Sequence, residues 1–378
     1  MTVPVADNII SPVGYTSSEN LASVLAGRSG LRRYEGYMGL PFGFTASLID
    51  RNAVEDMAAE AGLDGHTFFE KLLILSVSRA ISQAGVDMAS PRTLLVVSTT
   101  KGNVSLLEDG KDFPDGRVLL SGAAEAVARH FGCVNPPVVV SNACVSGLCA
   151  CIKADRCIRS GMYDHVVVTG ADEQSPFIIS GFQSFMAISP DECRPFDRNR
   201  RGLNPGEAAA TIVFESRTGS RIAPGEWTVA GEAIRNDACH ISAPSRTGEG
   251  SYRAIMRALG DTGAEELAFV SLHGTATDYN DAMEAEAVWR AGLTDVPVVG
   301  FKGYYGHTMG AAGVMETILS MKAVDAGVVP ATRGFAELGV RHPLSVSPSV
   351  RNTSRSSFMK VLSGFGGCNA AMLFSKKL

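Results

Sequence analysis

Apolar residues along the chain gather into short continuous runs closed by small or polar residues: TLLVVST (93–99), PVVVSNA (137–143), HVVVTGA (165–171) and ATIVFES (210–216). Runs of this length without alternation predict strands covered on both faces, as in a largely parallel sheet. Between and before them, apolar residues recur at helical spacing in TFFEKLLILSVSRAISQAG (67–85), GAAEAVARHFG (122–132) and GLCACIKADRCIRSG (147–161), which completes a βαβ pattern. Beyond the turn-rich RTGSRIAPGE (217–226) the theme returns, with strands expected at 266–274, 296–303, 358–367 and 369–377 and helices at 281–292 and 310–327. Internal echoes suggest a duplication, because GADE…GEAAATIVFES in the first part and GFGGCNAAMLFSK in the second each join a small-residue strand end to a strand opening on paired alanines. The expected organisation is two similar halves sharing one core, residues 1–219 and 220–378, divided near 217–226.

Composition narrows this picture. With 378 residues, 45% hydrophobic and 19% charged, and 40 glycines, the chain fits a close-packed α/β enzyme of two domains or one double unit. A net charge of −5 with interspersed signs gives no nucleic-acid-binding face and no polybasic membrane patch. The start MTVPVADNIISP lacks a basic, apolar leader, and no run reaches the length of a spanning helix; the expected location is the cytoplasm. None of the eight cysteines has C-x-x-C or other zinc-type spacing, and a disulfide framework is not expected.

Candidate chemistry sits where strands end. Cys144 follows VVV and precedes a helical stretch, so it is either a small core residue or a nucleophile at a corner whose helix N-terminus would favour a thiolate. Its own amide could serve an oxyanion hole. His273 ends an expected strand and points into the crevice where α/β proteins bind ligands, or else caps a local turn. Asp281 and Glu284 have the spacing of a capping box, or belong to a site network. His307 lies five residues after Lys302, beside a crowded small-residue helix start from Gly306 to Gly313. Phe365 stands between glycines on an expected hairpin turn and is either simply part of it or a swinging gate. CRPFDRNRRGLNPGEAAA (193–210) reads as a salt-bridged surface loop.

Taken together, ISPVGYTSSENLASVLAGRSGL, SNACVSG, RPFDRNRRGLNPGEAAA, DACHISAP, HGTATDYNDAMEAEA, KGYYGHTMGAAG and GFGGCNAAMLF, in that order, resemble the β-ketoacyl-acyl-carrier-protein synthases, elongating condensing enzymes with the thiolase fold. The resemblance implies a layered αβαβα unit and a Cys-His-His centre. In it Cys144 takes an acyl chain from a thioester, and His273 and His307 promote decarboxylation of a malonyl thioester. Lys302 orders the histidine region, and Asp281 and Glu284 join a supporting network. Thr275 and Thr277 contact the pantetheine arm, the amides of Cys144 and Phe365 hold an oxyanion, and Phe365 gates the pocket. No metal and no cofactor of the protein's own is implied, since the phosphopantetheine belongs to an acyl carrier protein, the expected partner. A homodimer, or a heterodimer with a related ketosynthase-like subunit, is also implied.

Both histidines argue against a priming synthase or a thiolase, which carry Asn at one of these positions. A different class of function, a non-catalytic chain-length-determining subunit, is disfavoured because Cys144, His273 and His307 are all present. The chain departs from the family at Gly300-Phe301-Lys302-Gly303, Ser363-Gly364-Phe365-Gly366-Gly367 and Pro205-Gly206-Glu207, and its segment 108–132 is short. These departures leave the acyl chain and the partner open between fatty-acid and polyketide or polyene elongation.

Overall fold

The computed structural model describes residues 1–109 and 112–377, so residues 110 and 111 of the short segment 108–132 lie outside the described residues. Strands Thr2–Ile10 (β1), Thr93–Ser98 (β2), Val138–Val140 (β3), His165–Asp172 (β4) and Ala208–Ser216 (β5) form one sheet in the order β1-β5-β4-β2-β3. Strands Trp227–Asn236 (β6), Leu267–Ser271 (β7), Val298–Val299 (β8), Ser357–Gly364 (β9) and Cys368–Lys376 (β10) form a second, ordered β6-β10-β9-β7-β8. The two orders are the same, and so are the directions. First and fifth strands, and fourth and fifth, pair antiparallel; the second pairs parallel with the third and fourth.

The helices are Phe68–Ala84 (α1), Leu120–His130 (α2), Ser146–Arg159 (α3), Glu249–Leu259 (α4), Asp278–Arg290 (α5) and Ala312–Asp325 (α6), beside shorter ones. α1 starts on a complete capping box, Thr67 with Glu70, and stops at left-handed Gly85. Alternate residues of each strand sort the layers. Val96, Val166, Val168, Ile212 and Phe214 of the first sheet, and Phe358, Leu362, Met372 and Phe374 of the second, pack on α3 and α6 between the sheets. Val97, Val167 and Val213 face α1 and α2 on one outside, while Met359, Val361 and Leu373 face α4 and α5 on the other. The result is an αβαβα stack, which is the thiolase-like α/β architecture expected.

Glycine sets how close the two central helices come. A Cβ on Gly313 of α6 would lie 2.1 Å from the amide nitrogen of Leu148 in α3, and one on Gly147 would lie 2.8 Å from the carbonyl oxygen of Gly310. Backbones touch there, so the corners that start α3 and α6 are brought together. β1, β6 and α4 did not stand out in the apolar pattern, because Pro4, Asp7 and Asn8 interrupt the first and Gly231, Glu232 and Arg235 the second. β3 and β8 are shorter than the strands expected at 137–143 and 296–303, because the chain turns early into the corners that carry Cys144 and Lys302.

Candidate active site

The corner between β3 and α3 displays Cys144. Ala143 takes the left-handed conformation (φ 47°), an uncommon one for a residue with a side chain. Ser146 locks the bend, its hydroxyl donating to the Ala143 carbonyl (2.6 Å) and accepting from the Asn142 amide (2.7 Å). Gly364 backs onto the corner, where a Cβ would stand 3.2 Å from the Cys144 amide nitrogen, so the β9–β10 turn carrying Phe365 reaches the thiol. Burial pushes the Cys144 thiol up to about 11, outweighing Lys302, the Phe365 amide and Lys101, all of which favour the thiolate. The thiolate expected from a helix N-terminus is therefore not the favoured form; α3 begins two residues further on, at Ser146, and desolvation dominates.

The second half supplies the imidazoles. His273 follows β7 and is fixed by α5: Glu284 accepts the His273 amide (2.6 Å) and the Gly274 amide (2.8 Å), while Asp281 accepts the amides of Phe196 (2.7 Å) and Ala276 (3.2 Å). These carboxylates are buried, and neither forms the capping box their spacing allowed. α5 starts at Asp278, and the side chain of its capping residue Thr277 meets the Thr275 hydroxyl instead, at 2.8 Å. Burial raises both carboxyls above the usual range, and their mutual proximity adds to the rise of Glu284.

His307 precedes α6. Its Nδ1 accepts the Met309 amide (3.1 Å), so a neutral ring carries its proton on Nε2, which has no partner among the described residues. Nδ1 of His273 is likewise unpartnered. The rings lie 4.9 Å apart, centroid to centroid, at 80°. Desolvation first, and then Lys302, hold both imidazoles well below the usual histidine range, so both are neutral near pH 7. Ligand atoms of Cys144, His273 and His307 all lie within 4.8 Å of one another, the only such grouping of potential metal ligands among the described residues.

These three residues open on a cavity of about 400 Å³, lined also by Thr275, Thr277, Phe182, Phe185, Arg200 and Phe365. Phe365 meets Phe185 edge-on at 5.5 Å. Lys302 stands behind the cavity, its ammonium donating to the His273 carbonyl (2.7 Å) and to Glu316 (3.0 Å). Glu316 of α6 also accepts from Lys360 of β9 (2.6 Å), and all three charged side chains are buried. The apolar periodicity hid Glu316 and Lys360; the signal available was a charge at an otherwise core-facing position of each element. The loop 193–210 is only partly the surface network expected. Arg198 and Arg201 form exposed pairs with Glu337 and Asp191, but Asp197 is buried, and the largely covered Arg200 side chain spans from exposed Asp278 to buried Asp281.

Comparison with known proteins agrees with this geometry. Residues 57–219 match the family described as "Beta-ketoacyl synthase, N-terminal domain", and residues 227–336 its C-terminal domain. Nodulation protein E of Rhizobium meliloti is 30% identical over 81% of each chain. The 3-oxoacyl-(acyl-carrier-protein) synthase 2 of Vibrio cholerae is 27% identical over 97% of each. Among solved structures, the ishigamide ketosynthase/chain length factor superposes with a TM-score of 0.88 at 28% identity, covering 100% of this chain and 99% of the other. The chain belongs to the β-ketoacyl synthase family, and it is a condensing enzyme of that family.

Proposed function

We propose that the protein catalyses decarboxylative Claisen condensation on an acyl chain held by Cys144. The observation that carries the reading is the convergence of one thiol and two neutral, partly unpartnered imidazoles on one cavity. Cys144 attacks an acyl thioester; the acyl–sulfur bond to the carrier breaks as that to Cys144 forms, and the thiol proton leaves with the carrier's thiol. Thioester exchange proceeds through the thiolate and calls for an easily ionised thiol more than a strong base, so Lys302 and the Phe365 amide, which favour ionisation against burial, promote this step.

A malonyl thioester then takes the place of the departed carrier. Its carbonyl oxygen accepts hydrogen bonds from His273 and His307, which stabilise the enolate as CO2 departs. The carbanion attacks the acyl-Cys144 carbonyl, the oxyanion rests on the amides of Cys144 and Phe365, and β-ketoacyl thioester leaves as the Cys144 sulfur is released. Thr275 and Thr277 line the approach of the pantetheine arm of an acyl carrier protein. Phe365, flanked by glycines, gates the acyl pocket. The protein needs no cofactor of its own in this scheme, and the reaction is placed in the cytoplasm, with fatty-acid and polyketide chains both within its chemistry.

A second subunit, either another copy or a related ketosynthase-like chain, completes the pocket. Three observations support this. β3 is the edge strand of its sheet with half-buried valines; Leu107, Leu119, Phe177 and Phe185 are exposed; and a solved relative is titled a ketosynthase/chain length factor. The test is incubation with acyl carrier thioesters of graded length and malonyl carrier, alone and with a candidate partner subunit, following intact mass and CO2. An adduct of one acyl group on Cys144 and CO2 release are expected. An adduct that persists in Cys144→Ala, or no CO2 with any chain, would sink the mechanism.

A further inference from the structure

β9 carries one residue that violates its own pattern. Phe358 and Leu362 face the central helices as apolar strand residues should, yet Lys360 lies on that same face, fully buried. Burying an ammonium in a core is costly unless every proton finds a partner. Here its Nζ reaches Glu316 Oε2 (2.6 Å), Ser271 Oγ (3.1 Å), the Leu272 carbonyl (3.2 Å) and the Ser271 carbonyl (3.3 Å). Lys302, on the other oxygen of Glu316, takes the next carbonyl in the chain, that of His273. Three successive carbonyls, those of Ser271, Leu272 and His273, therefore all accept from ammonium groups that share one carboxylate.

We propose that Lys360 is a positioning residue for His273: together with Lys302, and through Glu316, it clamps the segment that presents the ring to the substrate carbonyl. The proposal rests on the decarboxylating role assigned to His273, and it extends that role to a buried residue remote from the cavity. Geometry gives the clamp two effects. It fixes the ring's height above Cys144, and it leaves two positive charges against one negative charge behind the imidazole. Burial lowers Lys360, while Glu316 partly restores it. Burial would raise Glu316, but Lys302 and Lys360 outweigh it and keep it ionised. Other groups facing His273 are His307 and Cys144 across the cavity, and Glu284 and Asp281, the latter beside Arg200, on the α5 side. None of these reaches the Ser271 or Leu272 carbonyl with a side chain.

Lys360→Met tests the clamp, because it keeps the volume and leaves Glu316 paired with Lys302. The expected result is a loss of about tenfold or more in malonyl decarboxylation kcat with little change in KM, while acylation of Cys144 stays within about twofold of the parent rate. Lys360→Gln, which restores donors without charge, should recover part of the loss and guards against a folding failure of the first variant. Independently of turnover, NMR of histidine-labelled protein should show the His273 titration rising in Lys360→Met, since a like charge that lowers it has been removed. An unmoved His273 titration together with equal losses in both partial reactions would overturn the clamp. A parent protein that releases no CO2, but whose His273 titration moves as expected, would instead overturn the reaction assigned to the site.

Discussion

The two halves repeat one strand order and use equivalent corners differently. In the first, the third strand β3 leads to Cys144 and α3; in the second, β8 leads to Lys302, His307 and α6. The fourth strand of the first half turns Val166 and Val168 to the central helices, whereas that of the second turns Lys360. One half thus presents a thiol, with the Phe365 amide of the other half beside it. The other presents imidazoles held by buried charge: Lys302, Glu316, Lys360, Glu284 and Asp281. In the mechanism proposed above, one copy of the repeated strand order carries the acyl group while the other supplies the electrostatics of carbanion formation.

That division of labour is most strongly tested by removing the imidazoles. His273→Ala or His307→Ala is expected to lower CO2 release by about 10² to 10³-fold, the usual cost of one preorganised oxyanion donor. The acyl adduct on Cys144 should still form, as read by intact mass. Loss of the adduct in step with CO2 would merge the two roles.

Next in size is the contact that joins the halves. Gly313→Ala puts a methyl 2.1 Å from the Leu148 amide nitrogen, and a backbone atom cannot move aside as a side chain can. A loss of about 2–3 kcal/mol in denaturant unfolding is expected, with both partial reactions impaired, because Cys144 and His307 lie on the corners that lead into the helices forced apart.

Glu284→Gln sharpens the histidine side. Both Glu284 oxygens accept backbone amides, so a glutamine must turn its NH2 toward one of those donors. An unsatisfied buried amide costs about 1–3 kcal/mol, and decarboxylation should fall more than acylation. The raised Glu284 carboxyl also sets a sign for pH. The folded state holds its proton to higher pH than the unfolded chain, so this group's contribution to stability is present at low pH and is lost as pH rises through the folded-state value. Glu284→Gln removes that slope, which urea midpoints between pH 5 and 8 would show.

The last test needs no substitution and concerns the thiol. With Cys144 pushed up to about 11, its alkylation by iodoacetamide should climb by about tenfold per pH unit from pH 7 to about 10. A plateau near pH 8 would mean that the helix start and Lys302 win over burial after all.

The sequence made the fold legible wherever strands are buried on both faces, since unbroken apolar runs such as LLVV at 94–97 and VVV at 166–168 stand out against any background. It was silent on β1 and β6, whose polar residues break the run. Cys144 and His273 could be singled out because each follows a strand end, and Lys302 and His307 because they lie in the small-residue stretch between β8 and α6. Asp281 and Glu284 were ambiguous, as a capping box and an amide clamp share the same spacing, and the paths of the 193–201 loop and the 273–276 segment decide between them. Glu316 and Lys360 were invisible to periodicity, which treats a charge within an apolar element as an interruption, whereas here each charge finds its counterpart across two elements distant in sequence.

The most direct test of the separation between halves is CO2 release from a malonyl thioester by Cys144→Ala. Decarboxylation should persist without any acyl adduct and remain sensitive to His273→Ala in the same background. If CO2 release vanishes with the thiol while the protein stays folded, the two halves do not divide the reaction as their geometry indicates.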